Sequence, residues 1–140
     1  MLKRQKGTEY YANRHSCFLL QYHLVVVTKY RKKVIAGDVK QRLLEITDDL
    51  FINKWDCNII AVNTDEDHIH ILFECTPQTT LSVLVNSYKT VTARLLRKEF
   101  CDLLKDDLWG SQFWSDSYFI CSVSDKNEAV VAAYIKKQGG

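Results

Sequence analysis

No stretch of this chain approaches the roughly 20 consecutive apolar residues that a membrane-spanning helix requires. Its start, with Lys3, Arg4 and Lys6, also lacks the apolar run of a secretory signal. Both absences predict a cytoplasmic protein without a membrane anchor. Cysteine pairing is missing too. The five cysteines, Cys17, Cys57, Cys75, Cys101 and Cys121, are odd in number, widely spaced and never form a C-x-x-C pair. That argues against a disulfide framework or a cysteine zinc site and predicts reduced, mostly buried thiols. Internal repeats and low-complexity segments are absent as well, which leaves a single globular unit.

The chain has 140 residues and 46% hydrophobic content, enough to bury one core and to make 1–140 a single domain. Net charge is only +2, yet residues 1–37 carry eight Lys or Arg against Glu9 alone, giving +7 and leaving 11 − 16 = −5 for the remainder. A basic end of this kind suits a phosphate-bearing partner and equally a solvated terminus, so charge does not choose between them.

Residues 18–27 (FLLQYHLVVV) are aromatic and β-branched and predict a largely buried strand, followed by a basic loop. Gly37-Asp38 offers an N-cap, and Val39, Leu43, Ile46 and Leu50 recur at helical spacing as far as Asn53. The runs CNIIAVNT (57–64) and HIHILFEC (68–75) flank the acidic turn Asp65-Glu66-Asp67 and predict a hairpin. Leu81, Leu84, Val85, Tyr88, Val91, Leu95 and Leu96 then mark a helix of about five turns. Residues 113–123 predict a further strand, and Asp125 with Glu128 resembles the capping box of a last helix. This order predicts an α+β, ferredoxin-like (RRM-like) antiparallel sheet, with helices on one face and an extra C-terminal helix that carries Tyr134. Fold of this kind leaves function open.

His68 and His70 lie two apart on a predicted strand, so both imidazoles share one face while Ile69, Ile71 and Phe73 share the other. Neutral imidazoles so placed can hold a divalent ion, with Asp65, Glu66 and Asp67 near enough to orient them. Many such pairs bind nothing, and H-x-H by itself does not decide. Tyr134 and Gln138 are four apart and share a helix face, which lets a phenol and an amide oxygen reach one point. A tyrosine beside Val130, Val131 and Ile135 could equally be packed in a core.

Taken together, the H-I-H of DHIHILFEC, the basic helix after it and a terminal helix reading Y-I-x-x-Q resemble the single-tyrosine HUH transposases (TnpA type) of small bacterial insertion sequences. The likeness runs from Tyr22 to Gln138 and includes KYRKKVI (29–35), SYKTVTARLLRKEF (87–100) and WGSQFWSDSYF (109–119). One departure is Cys121-Ser122-Val123-Ser124, where many relatives place a glycine before the last helix.

The resemblance implies metal ligands at His68, His70 and Gln138 and a catalytic nucleophile at Tyr134, with Mg²⁺ or Mn²⁺ as the ion. It also implies cleavage and rejoining of single-stranded DNA at hairpin-bearing ends through a covalent 5′-phosphotyrosine. The expected assembly is a homodimer whose sites combine the histidines of one subunit with the tyrosine helix of the other. Basic residues placed to meet DNA are Lys29, Arg31, Lys32 and Lys33 in the first loop, and Lys89, Arg94, Arg97 and Lys98 on the long helix. Lys136 and Lys137 beside the tyrosine complete the set. A non-catalytic nucleic-acid module is the competing class, but the strand runs lack an RNP-like aromatic pattern.

Overall fold

Alternating apolar residues on three long segments build the sheet that organises the molecule. The structure, a computed structural model, describes Leu2 and residues 4–108, 112–124 and 127–137, of which 127–130 are described by backbone alone. A small ribbon of β1 (Tyr11–Ala12) and β2 (Cys17–Phe18) precedes β3 (Leu20–Val27), α1 (Gly37–Asp48), β4 (Asn58–Asp65) and β5 (His68–Cys75). The chain continues through α2 (Leu81–Glu99), α3 (Cys101–Leu108), β6 (Phe119–Ser122) and α4 (Asn127–Lys137). The main sheet has the order β4-β5-β3-β6, and every neighbouring pair is antiparallel. Among the described residues no helix is long and apolar enough to cross a membrane.

Period-two alternation divides the sheet cleanly. Leu24, Val26, Ile69, Ile71 and Phe73 are fully buried on one face, against Val39, Leu43 and Ile46 of α1 and Leu84, Val85, Tyr88 and Leu96 of α2. On the other face Val25 and Val27 pack with Val131, Phe119, Tyr134 and Ile135, so α4 lies against its own chain's β3 and β6. The same face, at its opposite end, is closed by the N-terminal ribbon. There the buried Glu74 carboxylate accepts hydrogen bonds from Tyr11, from Arg4 at 3.0 Å and from Gln21 at 2.7 Å. One cation of the basic end, Arg4, is thus tied to a buried carboxylate while remaining exposed itself.

Several boundaries differ from the sequence expectation. The expected strand 113–123 is regular only over Phe119–Ser122. Phe113 and Trp114 are buried, and the segment is moored to the end of β3 by Lys29 N to Phe113 O at 2.9 Å and Ser115 N to Val27 O at 2.8 Å. Aromatic content that suits a strand here serves as an anchor. Ala36, not Asp38, occupies the cap of α1, and Asp38 sits inside the first turn, where its charge complements the helix dipole. Beyond Asp48 the helix widens into a π-helical stretch, Asp49–Lys54, which carries Phe51 into ring contact with Trp55, Phe73 and Tyr88 at 5.3, 5.1 and 5.6 Å. The helix α3 follows α2 over a segment where the sequence reading marked no element. Asp125 and Gln138 lie outside the described residues.

The thiols are less uniformly buried than expected: Cys57 and Cys75 are buried, whereas Cys17 and Cys101 are exposed and Cys121 is intermediate. Burial, reinforced by the nearby Cys75 and Asp56, pushes the Cys57 thiol up to about 12, and burial raises Cys75 as well. Thiolate is the reactive form. At about pH 8 a maleimide should therefore label Cys17 and Cys101 within minutes and leave Cys57 and Cys75 untouched until the protein is unfolded. Peptide mass mapping before and after denaturant checks the order.

Candidate active site

The β4–β5 hairpin and the turn after β3 bring the chemistry-bearing residues to one end of the sheet. Pairing of Val27 with His68 and Val25 with His70 sets both histidines on the face that α4 partly covers. On their other side stand Asp65 and Asn63 of β4. His68 is largely buried and its Nδ1 lies 2.9 Å from Asp67 Oδ1. That bond fixes the ring, and among the described residues Nε2 has no hydrogen-bond partner. Ligand atoms of Asp65, Asp67 and His68 all lie within 4.8 Å of one another.

His70 turns elsewhere. Its Nε2 sits 2.8 Å from Nδ1 of His23, a residue the sequence reading did not single out. His23 pairs with Leu72 and is therefore a diagonal neighbour of His70 on the same face. Such a contact becomes visible only when the register of β3 against β5 is known. Burial, with the neighbouring His23 and His68, lowers the pKa of His70. It is consequently neutral at pH 7, the form able to ligate a cation.

The basic turn carries Arg31 into the same region. Tyr30 and Arg31 have φ of 57° and 52°, a left-handed pair without glycine that costs about 1 kcal/mol or more per residue. Three bonds from the Arg31 guanidinium accompany it: Nε and Nη2 each lie 2.7 Å from Asp67 Oδ2, and Nη1 lies 2.7 Å from the carbonyl oxygen of Ile135 in α4. Burial alone would raise the Asp67 carboxyl, but hydrogen bonds from His68 and Arg31 and the guanidinium charge outweigh it and hold the group below the usual carboxylate range.

Tyr134 lies on this face, and among the described residues no hydrogen bond or ring contact joins it to the histidines. Its ring packs on Phe119 at 4.9 Å and its hydroxyl is 3.4 Å from Ser117 Oγ. Phe119 pairs with Val25, which pairs with His70, so the strand on which the tyrosine ring rests, β6, is separated from the histidine strand by β3.

The remaining basic residues divide by environment. Lys32, Lys33, Arg94, Lys98, Lys136 and Lys137 are exposed. Lys29 pairs with Asp116 at 3.3 Å and lies 5.4 Å from the ring centre of the exposed Tyr30. Arg31 is turned inward. Lys89 is half-buried and donates to Ser115 O at 2.8 Å, and burial lowers its ammonium pKa. With Thr90, Arg97, Trp114 and Asp116 it lines an open groove of ≈ 840 Å³ between α2 and the 112–116 segment.

A strand-borne histidine pair and a tyrosine helix on one face of an antiparallel sheet are the arrangement expected of a tyrosine transposase. Residues 16–138 match the family of IS200-like transposases, and the chain belongs to that family, the transposases of small insertion sequences. It is 32% identical over 137 residues to the ISDra2 transposase TnpA of Deinococcus radiodurans, spanning 98% of this chain and 92% of that one. A crystal structure of a chain assigned as a transposase from the same organism superposes with a TM-score of 0.82 at 30% identity, covering 91% of this chain and 96% of the other. A REP-associated tyrosine transposase bound to a REP hairpin shares the fold, with a TM-score of 0.56 at 9% identity, covering 92% of this chain and 76% of that one.

Proposed function

We propose that the chain is a metal-dependent DNA strand transferase that cleaves and rejoins single-stranded DNA at hairpin-bearing ends, with Tyr134 as nucleophile. The observation that carries this reading is the placement of His68, His70 and Tyr134 on one face of the same sheet. The donors that fit a divalent cation here are His68, Asp65 and Asp67, whose ligand atoms lie within 4.8 Å of one another, while His70 shares their face with its Nε2 turned to His23. His68 and His70, with Gln138, would hold Mg²⁺ or Mn²⁺. Bound there, the ion would offset charge on the nonbridging oxygens of the scissile phosphate.

The Tyr134 oxygen attacks phosphorus, a new Tyr–O–P bond forms, and the bond to the 3′-oxygen breaks. The phenolic proton passes to solvent and the departing 3′-oxygen takes one up from solvent, so that it leaves as a 3′-hydroxyl with no net change in protons. No bond energy is dissipated to water, so the same two bonds can be exchanged in reverse when a strand is rejoined. Lys136 and Lys137, exposed beside the nucleophile, and the exposed Lys32, Lys33, Arg94 and Lys98 are suited to phosphate contact.

We read residues 1–140 as one HUH domain of ferredoxin-like type, and the working unit as a homodimer with sites shared between subunits. The sharing is carried over from the family resemblance; among the described residues no hydrogen bond or ring contact joins Tyr134 to either histidine of its own chain. The test is incubation with a labelled single-stranded hairpin carrying single-stranded flanks, in Mn²⁺ or Mg²⁺, followed by a denaturing gel. A protein–DNA adduct lost on adding EDTA is expected; hairpin binding with no adduct in either metal would leave a non-catalytic binding protein instead.

A further inference from the structure

One guanidinium stands between the nucleophile's helix and the histidine strand. The Arg31 side chain spends Nη1 on the Ile135 carbonyl, one residue after Tyr134, and spends Nε and Nη2 on Asp67 Oδ2. Asp67 gives its other oxygen to His68. The four groups form an unbroken chain of bonds from α4 to the first histidine, each link 2.9 Å or shorter. Among the described residues the other contacts of α4 are apolar, through Val131, Tyr134 and Ile135 against Val25, Val27 and Phe119, apart from the 3.4 Å approach of the Tyr134 hydroxyl to Ser117 Oγ. Apolar packing tolerates sliding, whereas a planar fork with fixed donor directions sets a position.

The turn that presents Arg31 is itself held by Thr28, whose Oγ1 donates to Lys32 O at 2.7 Å and whose backbone N–H donates to Asp67 O at 2.9 Å. Guanidinium and carboxylate are thus carried on one braced unit, and α4 is the body that docks onto it.

We propose that Arg31 is a positioning residue that couples the seating of the Tyr134 helix to the orientation of the His68 imidazole. Its side chain is accordingly an internal strut and not a phosphate contact. When α4 is seated, the Ile135 carbonyl takes one edge of the fork and the other edge is aligned on Asp67. When α4 leaves, the guanidinium loses an acceptor and is free to rotate, and the carboxylate that fixes His68 loses its fixed partner. Linkage of this kind is reciprocal: whatever stiffens His68 also favours the seated helix. Its catalytic meaning rests on the strand-transfer reading, but the coupling itself does not.

The experiment is therefore a double-mutant cycle on the full-length protein without metal or DNA. Val131→Asp is used to unseat α4, since Val131 is buried against Val25 and Val27. Imidazole nitrogen NMR reads the tautomer and environment of His68, and amide hydrogen exchange reads α4. In the otherwise native chain Val131→Asp should move the His68 nitrogen resonances, and Arg31→Ala should by itself move them and speed exchange in α4 by about tenfold. In the Arg31→Ala background, Val131→Asp should then add nothing at His68. Arg31→Lys should behave like Arg31→Ala, because a single ammonium cannot span both acceptors. An unchanged Tyr88 ring spectrum shows that the core is intact in each variant.

The proposal is overturned if unseating α4 leaves His68 unmoved, or if it moves His68 equally with and without Arg31. An intact cycle in a protein that forms no DNA adduct would sink the strand-transfer reading and leave the coupling standing.

Discussion

Replacing Tyr134 with Phe should abolish the covalent protein–DNA adduct, a fall of at least about four orders of magnitude, while hairpin affinity stays within about twofold. The asymmetry follows from what the hydroxyl does. Among the described residues it has one long contact, 3.4 Å to Ser117 Oγ, while the ring packs on Phe119 and should stay in place in the variant. Removing the oxygen thus deletes the proposed attacking atom and little else, and thermal stability should change by no more than about 0.5 kcal/mol. Denaturing gels read the adduct and native gels read binding. Retention of an adduct in Tyr134→Phe would mean that another residue is the nucleophile and would remove the assignment.

Much of this site could be read from the chain because the strand period is insensitive to context. His68 and His70 flank Ile69 in the sequence, and alternation alone sends them to the face opposite Ile69, Ile71 and Phe73, all three of which are fully buried. The α2 stripe was legible for the same reason: Leu84, Val85, Tyr88 and Leu96 are spaced to share a helix face and do. What escaped depends on register and on turns. The His23–His70 contact needs the alignment of β3 on β5, which no local pattern encodes. Arg31 reads as one more cation in a basic run. Its inward direction comes from two consecutive left-handed residues that no glycine advertises. The β1–β2 ribbon is too short to show a period, with two residues in each strand. In the acid-rich CDLLKDDL of α3, only Leu104 and Leu108 are buried, too few to outline a stripe. In each case a tertiary partner supplies the information: Asp67 and Ile135 for Arg31, Glu74 for Tyr11.

Trp114→Ala should be the most destabilising single change in the segment that leads to the tyrosine. The ring is 2% exposed, stacks on Tyr88 at 6.5 Å and meets Phe113 edge-on at 4.7 Å. Its Nε1–H donates to Thr92 Oγ1 at 2.9 Å, and Thr92 in turn donates to Tyr88 O at 2.7 Å. Tyr88 and Thr47 then join α2 to α1 through their hydroxyls at 2.8 Å. Alanine would empty the ring's volume beneath α2 and cut the 112–116 segment from that chain of bonds, for a loss of about 3–5 kcal/mol. A domain of this size commonly has about 5–15 kcal/mol in total, so the urea midpoint should fall by about a fifth or more while the slope is unchanged. Trp114→Phe separates the two contributions: it keeps most of the volume and loses only the N–H, and should cost about 1 kcal/mol. Equal losses in the two variants would instead place the stabilisation in the hydrogen bond to Thr92. The same segment continues through Ser115, tied to Val27, to Ser117, which meets the Tyr134 hydroxyl. A phenylalanine variant that folds normally but forms adduct more slowly would therefore locate a positional demand on Tyr134 in the anchoring of Trp114.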